Sequence, residues 1–160
     1  IASVLAFGEQ FVKDAVWNNL EIDAIWGYSL GTIAAQYALR DSGMQAVPVI
    51  LEGAVVPPTA LVADVERKLG WPKRWLVNLE VPDSLANRLH DSLYHNLQPA
   101  TWFLHGQNDG LFPPELLRRY VPTSPQIRFT MIDSATHAPV FPQLTNAQRD
   151  SLRDFLYFLD

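Results

Sequence analysis

Apolar residues at Phe11, Val12, Ala15, Val16 and Leu20 recur at steps of three and four. That period lines one face of a helix and predicts an amphipathic helix over 8–20. Residues 22–28 form a short apolar run that leads at once into a glycine-containing turn and then into Ile33, Ala34, Ala35, Tyr37 and Ala38. The pattern reads as strand, tight turn, helix. A second apolar run over 47–56 reads as a strand closed by Pro57-Pro58, which continue neither a ladder nor a helix. Residues 101–105 and 127–132 supply two further strands, preceded by Pro99 and Pro125 and followed by turn-rich segments.

Between the second and third of these strands, residues 59–97 carry Trp71, Trp75 and helical patterning at Leu85, Leu89 and Leu93, and predict a helical insert of two or three short helices. Near the end, Thr145 with Gln148 three positions later has the form of a capping box. The stripe Leu152, Phe155, Leu156 and Leu159 that follows predicts a terminal helix docked on a sheet. Strands separated by helices need crossover connections, so the expected architecture is an α/β domain over 1–160 with a mostly parallel sheet flanked by helices.

Composition narrows the function classes. Of 160 residues, 48% are hydrophobic and 18% charged, which is enough apolar material for one core. A net charge of −5, with no basic cluster larger than pairs such as Lys73-Arg74 and Arg118-Arg119, argues against a nucleic-acid or anionic-membrane footprint. The apolar runs are strand-sized, so no membrane span is expected. The absence of cysteine excludes disulfides, thiolate metal sites and a thiol nucleophile, but it leaves the compartment open, with a soluble chain in the cytoplasm as the default.

The candidate chemistry begins at Gly27-Tyr28-Ser29-Leu30-Gly31, on the predicted strand-to-helix turn. A serine nucleophile there needs a sharp bend, and Gly27 and Gly31 are expected to remove side chains that would collide as the backbone turns. The helix that follows aims free N–H groups at a developing oxyanion, the Leu30 N–H being the expected donor. A hydroxyl also needs an imidazole to take its proton, and the imidazole needs a carboxylate to hold its tautomer. The third strand leads into His105-Gly106-Gln107-Asn108-Asp109 and the fourth into Asp133-Ser134-Ala135-Thr136-His137. Asp109 is therefore the expected acid and His137 the expected base, each in a loop past a different strand. Asp133 is the competing acid. His105 reads as structural, and His90 and His95, five apart, do not share a helical face as a metal pair would. No metal or cofactor is expected.

The motif Trp26-Gly27-Tyr28-Ser29-Leu30-Gly31, the acid loop from Phe103 to Asp109 and the loop Ala135-Thr136-His137 together resemble the C-terminal part of an α/β-hydrolase. Val49-Ile50-Leu51-Glu52-Gly53 and the short insert are similar to compact Bem46-like members. The resemblance implies an esterase or lipase-like serine hydrolase that cleaves esters, thioesters or amides through an acyl-enzyme on Ser29, Asp109 and His137. Dehalogenases and epoxide hydrolases are disfavoured because their nucleophile is a carboxylate, and dienelactone-type enzymes because theirs is a thiol.

The resemblance further implies strands before the nucleophile strand, one of whose loops supplies a second oxyanion donor that this chain does not contain. The nucleophile strand would then form a bare edge. The expectation is a chain that self-associates, binds a partner through that edge or is inactive alone. A non-catalytic interaction module is the competing class.

Overall fold

A computed structural model describes residues 10, 21–42, 47–69, 94, 97, 100–137 and 139–157. Most of the predicted helix over 8–20, most of the insert with Trp71 and Trp75, the Lys73-Arg74 pair, His90, His95 and Leu159 lie outside the described residues.

Four strands form one parallel sheet in sequential order: β1 (Ile25–Tyr28), β2 (Val49–Glu52), β3 (Thr101–Gly106) and β4 (Ile127–Ile132). Val49 pairs with both Ile25 and Thr101, and Thr101 with Ile127, so the strands start in register. Their connections carry helices α1 (Gly31–Ser42), α2 (Pro58–Leu69) and α3 (Pro114–Tyr120), and α4 (Asn146–Tyr157) follows β4.

The central strands are apolar without alternation because both faces of the sheet are covered. Val49, Leu51 and Phe103 point to one side, into a core with Ile33 and Ala35 of α1, Ala60 of α2 and Leu116 and Leu117 of α3. Ile50, Trp102 and Leu104 point to the other, against Leu152 and Phe155 of α4. A residue that follows the wrong face in β2 or β3 would therefore still be buried, and the register is set by the ladder and the crossovers together.

Several elements differ from the sequence reading. The second strand stops at Glu52, because Gly53 takes φ 58° and turns the chain, and Ala54–Val56 run on buried outside the ladder. Pro58 opens α2 where the sequence suggested only a stop, since the first helical position needs no N–H and favours the proline φ. Helix α3 was not anticipated. It starts with Pro114 and Glu115 and ends with Arg118 and Arg119, whose charges suit the helix dipole.

At the C-terminal helix the capping box forms as expected, with the Thr145 N–H donating to Gln148 Oε1 at 2.8 Å and the Gln148 N–H to Thr145 Oγ1 at 3.3 Å. Among the described residues β1 and β4 are the sheet edges. Ile25 and Ser29 donate their N–H groups toward β2, so the main-chain groups of Trp26 and Tyr28 face outward. No helix among the described residues is long and apolar enough to cross a membrane.

Candidate active site

The carboxyl ends of β1, β3 and β4 bring the three predicted residues together. Ser29 follows β1 directly and adopts φ 49°, a left-handed conformation that costs a non-glycine residue about 1–2 kcal/mol. Its surroundings enforce that conformation. The Ser29 N–H donates to the Glu52 carbonyl at 2.9 Å, and the Thr32 hydroxyl and N–H donate to the Ser29 carbonyl at 2.6 and 2.9 Å. Thr32 Oγ1 also accepts the Val55 N–H at 3.3 Å, which ties the turn to the segment after β2.

Gly27 behaves as expected. A Cβ there would lie 2.7 Å from Thr32 Cα and 2.8 Å from the Gly31 carbonyl oxygen, so no side chain fits between strand and helix. Gly31 does not bear out the steric expectation, because a Cβ at that position would meet nothing within 4 Å. It is the first residue of α1 and sits in open space.

The Ser29 hydroxyl lies 2.9 Å from His137 Nε2, and His137 Nδ1 lies 2.8 Å from Asp109 Oδ2. With Nδ1–H donating to the carboxylate, Nε2 is left as the acceptor for the serine proton. Asp109 is 3% exposed, and its other oxygen, Oδ1, accepts the N–H groups of Leu111 and Phe112, both at 2.9 Å. The carboxylate is thus fixed by its own loop before it meets the imidazole. Asp133 is exposed and takes no part, apart from its carbonyl accepting the Asn108 side-chain amide at 3.0 Å. Packing completes the frame: the Phe112 ring stands edge-on to His137 with centroids 5.3 Å apart.

The Leu30 N–H, the expected oxyanion donor, has no partner among the described residues, and the Leu30 side chain is 40% exposed beside Ser29. A donor left free at the start of a helix next to a candidate nucleophile is available to an oxyanion.

His105 is fully buried beneath Asp109. Its Nε2 faces two acceptors, the Phe112 carbonyl at 2.8 Å and Asp109 Oδ2 at 3.3 Å, so the proton sits on Nε2. Its Nδ1 is buried without a partner among the described residues. Burial holds the imidazole below its ordinary pKa of 6.5, an effect only partly offset by the Phe112 carbonyl and the Asp109 charge. A neutral His105 donates toward Asp109, the candidate acid, and leaves His137 as the candidate base.

Sequence reasoning missed several residues that shape the site. Thr32 and Gly106 carry no motif of their own, and their roles arise where loops meet. Asn108 joins the acid and histidine loops, its N–H donating to the Ala135 carbonyl at 2.9 Å in addition to its side-chain contact with Asp133. Glu52 did carry a signal, as a lone carboxylate closing the apolar run Val49-Ile50-Leu51. A charge at the end of a strand buried on both faces must find specific partners. Among the described residues no group of three His, Cys, Asp or Glu is placed to hold a metal ion.

No protein-family model matches the chain, and no curated protein matches it. Solved structures do. A thermophilic esterase from Thermogutta terrifontis superposes with a TM-score of 0.62 at 21% identity, covering 95% of this chain and 72% of the esterase. An α/β-hydrolase enzyme from the sediment metagenome of the Mar Chica lagoon gives 0.60 at 19% identity, covering 95% and 68%. A putative non-heme bromoperoxidase from Mycobacterium tuberculosis gives 0.57 at 17% identity, covering 96% and 75%. Likeness at such identities speaks for the fold, and the fold is that of an α/β-hydrolase: a four-stranded parallel sheet with flanking helices that accounts for about 70% of those chains.

Proposed function

We propose that this chain carries the catalytic triad of an esterase or lipase-like serine hydrolase, with Ser29 as nucleophile, His137 as general base and acid, and Asp109 as the group that orients His137. The observation that carries the reading is the continuous relay from Ser29 Oγ through both ring nitrogens of His137 to Asp109, with the serine held at positive φ. In this reading Ser29 Oγ attacks a carbonyl carbon while its proton passes to His137 Nε2, and Asp109 stabilises the imidazolium without taking the proton. The Leu30 N–H stabilises the oxyanion. His137 then returns the proton to the leaving group, an acyl-Ser29 remains, and water activated by His137 hydrolyses it.

The substrate class is a carboxylic ester, thioester or amide, in line with the esterases among the structural neighbours, and the compact Bem46-like type is the subgroup to which the run Val49–Gly53 points. Incubation with a fluorophosphonate probe tests the reading. Covalent labelling at Ser29 that disappears in Ser29→Ala supports it, and an unlabelled Ser29 in folded protein refutes it.

One observation favours a second reading. Among the described residues no strand pairs with the outer edge of β1, where Trp26 and Tyr28 are 43% and 46% exposed. Such an edge accepts another strand. Stoichiometric capture of a second chain by a protein that never labels at Ser29 would make the fold an interaction module; capture together with labelling would make the partner a completing wall of the site.

A further inference from the structure

We propose that Glu52 is a positioning residue that locks the His137 loop to the nucleophile strand, and that it must be a carboxylate to do so. The catalytic consequence rests on the serine-hydrolase reading above, whereas the clamp itself does not. Glu52 is 3% exposed at the end of β2, between the strand that delivers Ser29 and the strand that delivers Asp109. Its main-chain carbonyl holds the Ser29 N–H at 2.9 Å. Its side chain reaches both ways. Oε2 accepts the Trp26 indole N–H at 3.0 Å, and Oε1 accepts the N–H groups of Val140 and Phe141 at 2.5 and 2.8 Å. Val140 and Phe141 lie three and four residues past His137, where the short helix Phe141–Gln143 begins.

The Trp26 and Phe141 rings also meet edge to face at 5.0 Å. One residue therefore joins the serine, its strand and the segment that carries the histidine. No Lys, Arg or His pairs with Glu52 among the described residues, so its charge is met by N–H groups alone.

All three side-chain partners can only donate, and a carboxylate is the side chain of this length that can only accept. A glutamine would turn an NH2 group against a donor in either orientation. Facing Val140 and Phe141 it would release two main-chain N–H groups, and facing Trp26 it would oppose the indole N–H. Leaving such buried donors unmet costs far more than the bond itself contributes. The expected response is a shift of the His137 loop, and small displacements of a proton acceptor are expensive in rate.

The test uses fluorophosphonate labelling of the intact protein at several probe concentrations, which separates probe binding from the covalent step. Glu52→Gln should slow the covalent step on the order of 10- to 100-fold while leaving probe binding within about twofold. Adding Trp26→Phe, which removes the indole donor and lets the amide oxygen face Val140 and Phe141, should restore much of the loss. A merely structural role predicts no such rescue. Should Glu52→Gln fail to fold, Glu52→Asp carries the test, since it keeps the charge but shortens the reach and should slow the covalent step in folded protein.

An unchanged covalent rate in a folded Glu52 variant overturns the proposal, as does a loss that Trp26→Phe leaves untouched. Absence of labelling in the wild type would instead overturn the serine-hydrolase reading. The clamp is then read by amide hydrogen exchange: faster exchange at Val140 and Phe141 in Glu52→Gln supports it, and equal exchange overturns it.

Discussion

The last residue of β3, Gly106, lies against the histidine loop so closely that a Cβ on it would sit 1.9 Å from the Thr136 carbonyl oxygen and 2.5 Å from that of Ala135. The acid strand and the residue before His137 share a space that only a hydrogen atom fits. Two main-chain bonds seal the junction, from the Gln107 N–H to Ile132 at 3.0 Å and from the Asn108 N–H to Ala135 at 2.9 Å.

Gly106→Ala must therefore push the His137 loop away from β3, because the obstruction is backbone and not a mobile side chain. The expected cost is about 1–3 kcal/mol of stability, as for other overpacked sites. Labelling at Ser29 should fall on the order of 100-fold, because the loop that moves carries the proposed base. Urea unfolding and labelling rates measured on the same preparation check both numbers. A variant with wild-type labelling would show that the loop accommodates the methyl group without moving His137.

The sequence made the three strand-end loops legible because each chemical residue follows an apolar run of strand length. Ser29, Asp109 and His137 needed only that pattern and the order in which the loops occur. Gly106 and Glu52 were not legible in the same way, since their constraints come from segments 26 to 89 positions away. Gly31 looked equivalent to Gly27 in the motif, but only Gly27 faces the α1 backbone. Helix α3 escaped because seven residues hold too few turns to display a period. Its termini were the readable part, with proline and glutamate at the start and two arginines at the end.

Asp109→Asn should preserve the loop and lose the chemistry. The amide oxygen takes the place of Oδ1 under the Leu111 and Phe112 N–H groups, which leaves the NH2 facing His137 Nδ1. His137 must then accept at Nδ1 and carry its proton on Nε2, where it cannot take one from Ser29. A fall of about 10⁴-fold in turnover is expected, the size associated with the wrong tautomer in a serine triad. Esterase assays with a p-nitrophenyl ester check it, and the unfolding midpoint should shift little by comparison.

His105 makes stability depend on pH. Its folded pKa lies below the ordinary value of 6.5 because burial penalises the imidazolium, so below that pH the unfolded chain binds a proton that the folded chain resists. Its contribution to stability is full above the unfolded pKa and is lost progressively as pH falls below about 6.5. Urea unfolding at a series of pH values from 8 to 5 should therefore show a steeper decline for the wild type than for His105→Gln, which cannot titrate. Parallel curves would place the neutral imidazole elsewhere in the energetics and would remove the reason to treat Nδ1 as a buried lone pair.

Ser29 presents the opposite case, in which the conformation of the proposed nucleophile opposes stability. At φ 49° its Cβ crowds the backbone, and the turn is held by the Glu52 carbonyl and the Thr32 hydroxyl and not by any preference of serine itself. Ser29→Ala removes the hydroxyl but keeps the Cβ, so it retains the strain. Ser29→Gly removes both, at the expense of a more flexible unfolded chain that offsets roughly 0.4–1 kcal/mol. Relief of about 1–2 kcal/mol of left-handed strain exceeds that offset. The glycine variant should thus unfold at higher urea than the alanine variant while both fail to label. Equal midpoints would mean that the surrounding hydrogen bonds, and not the Cβ, set the energy of the turn.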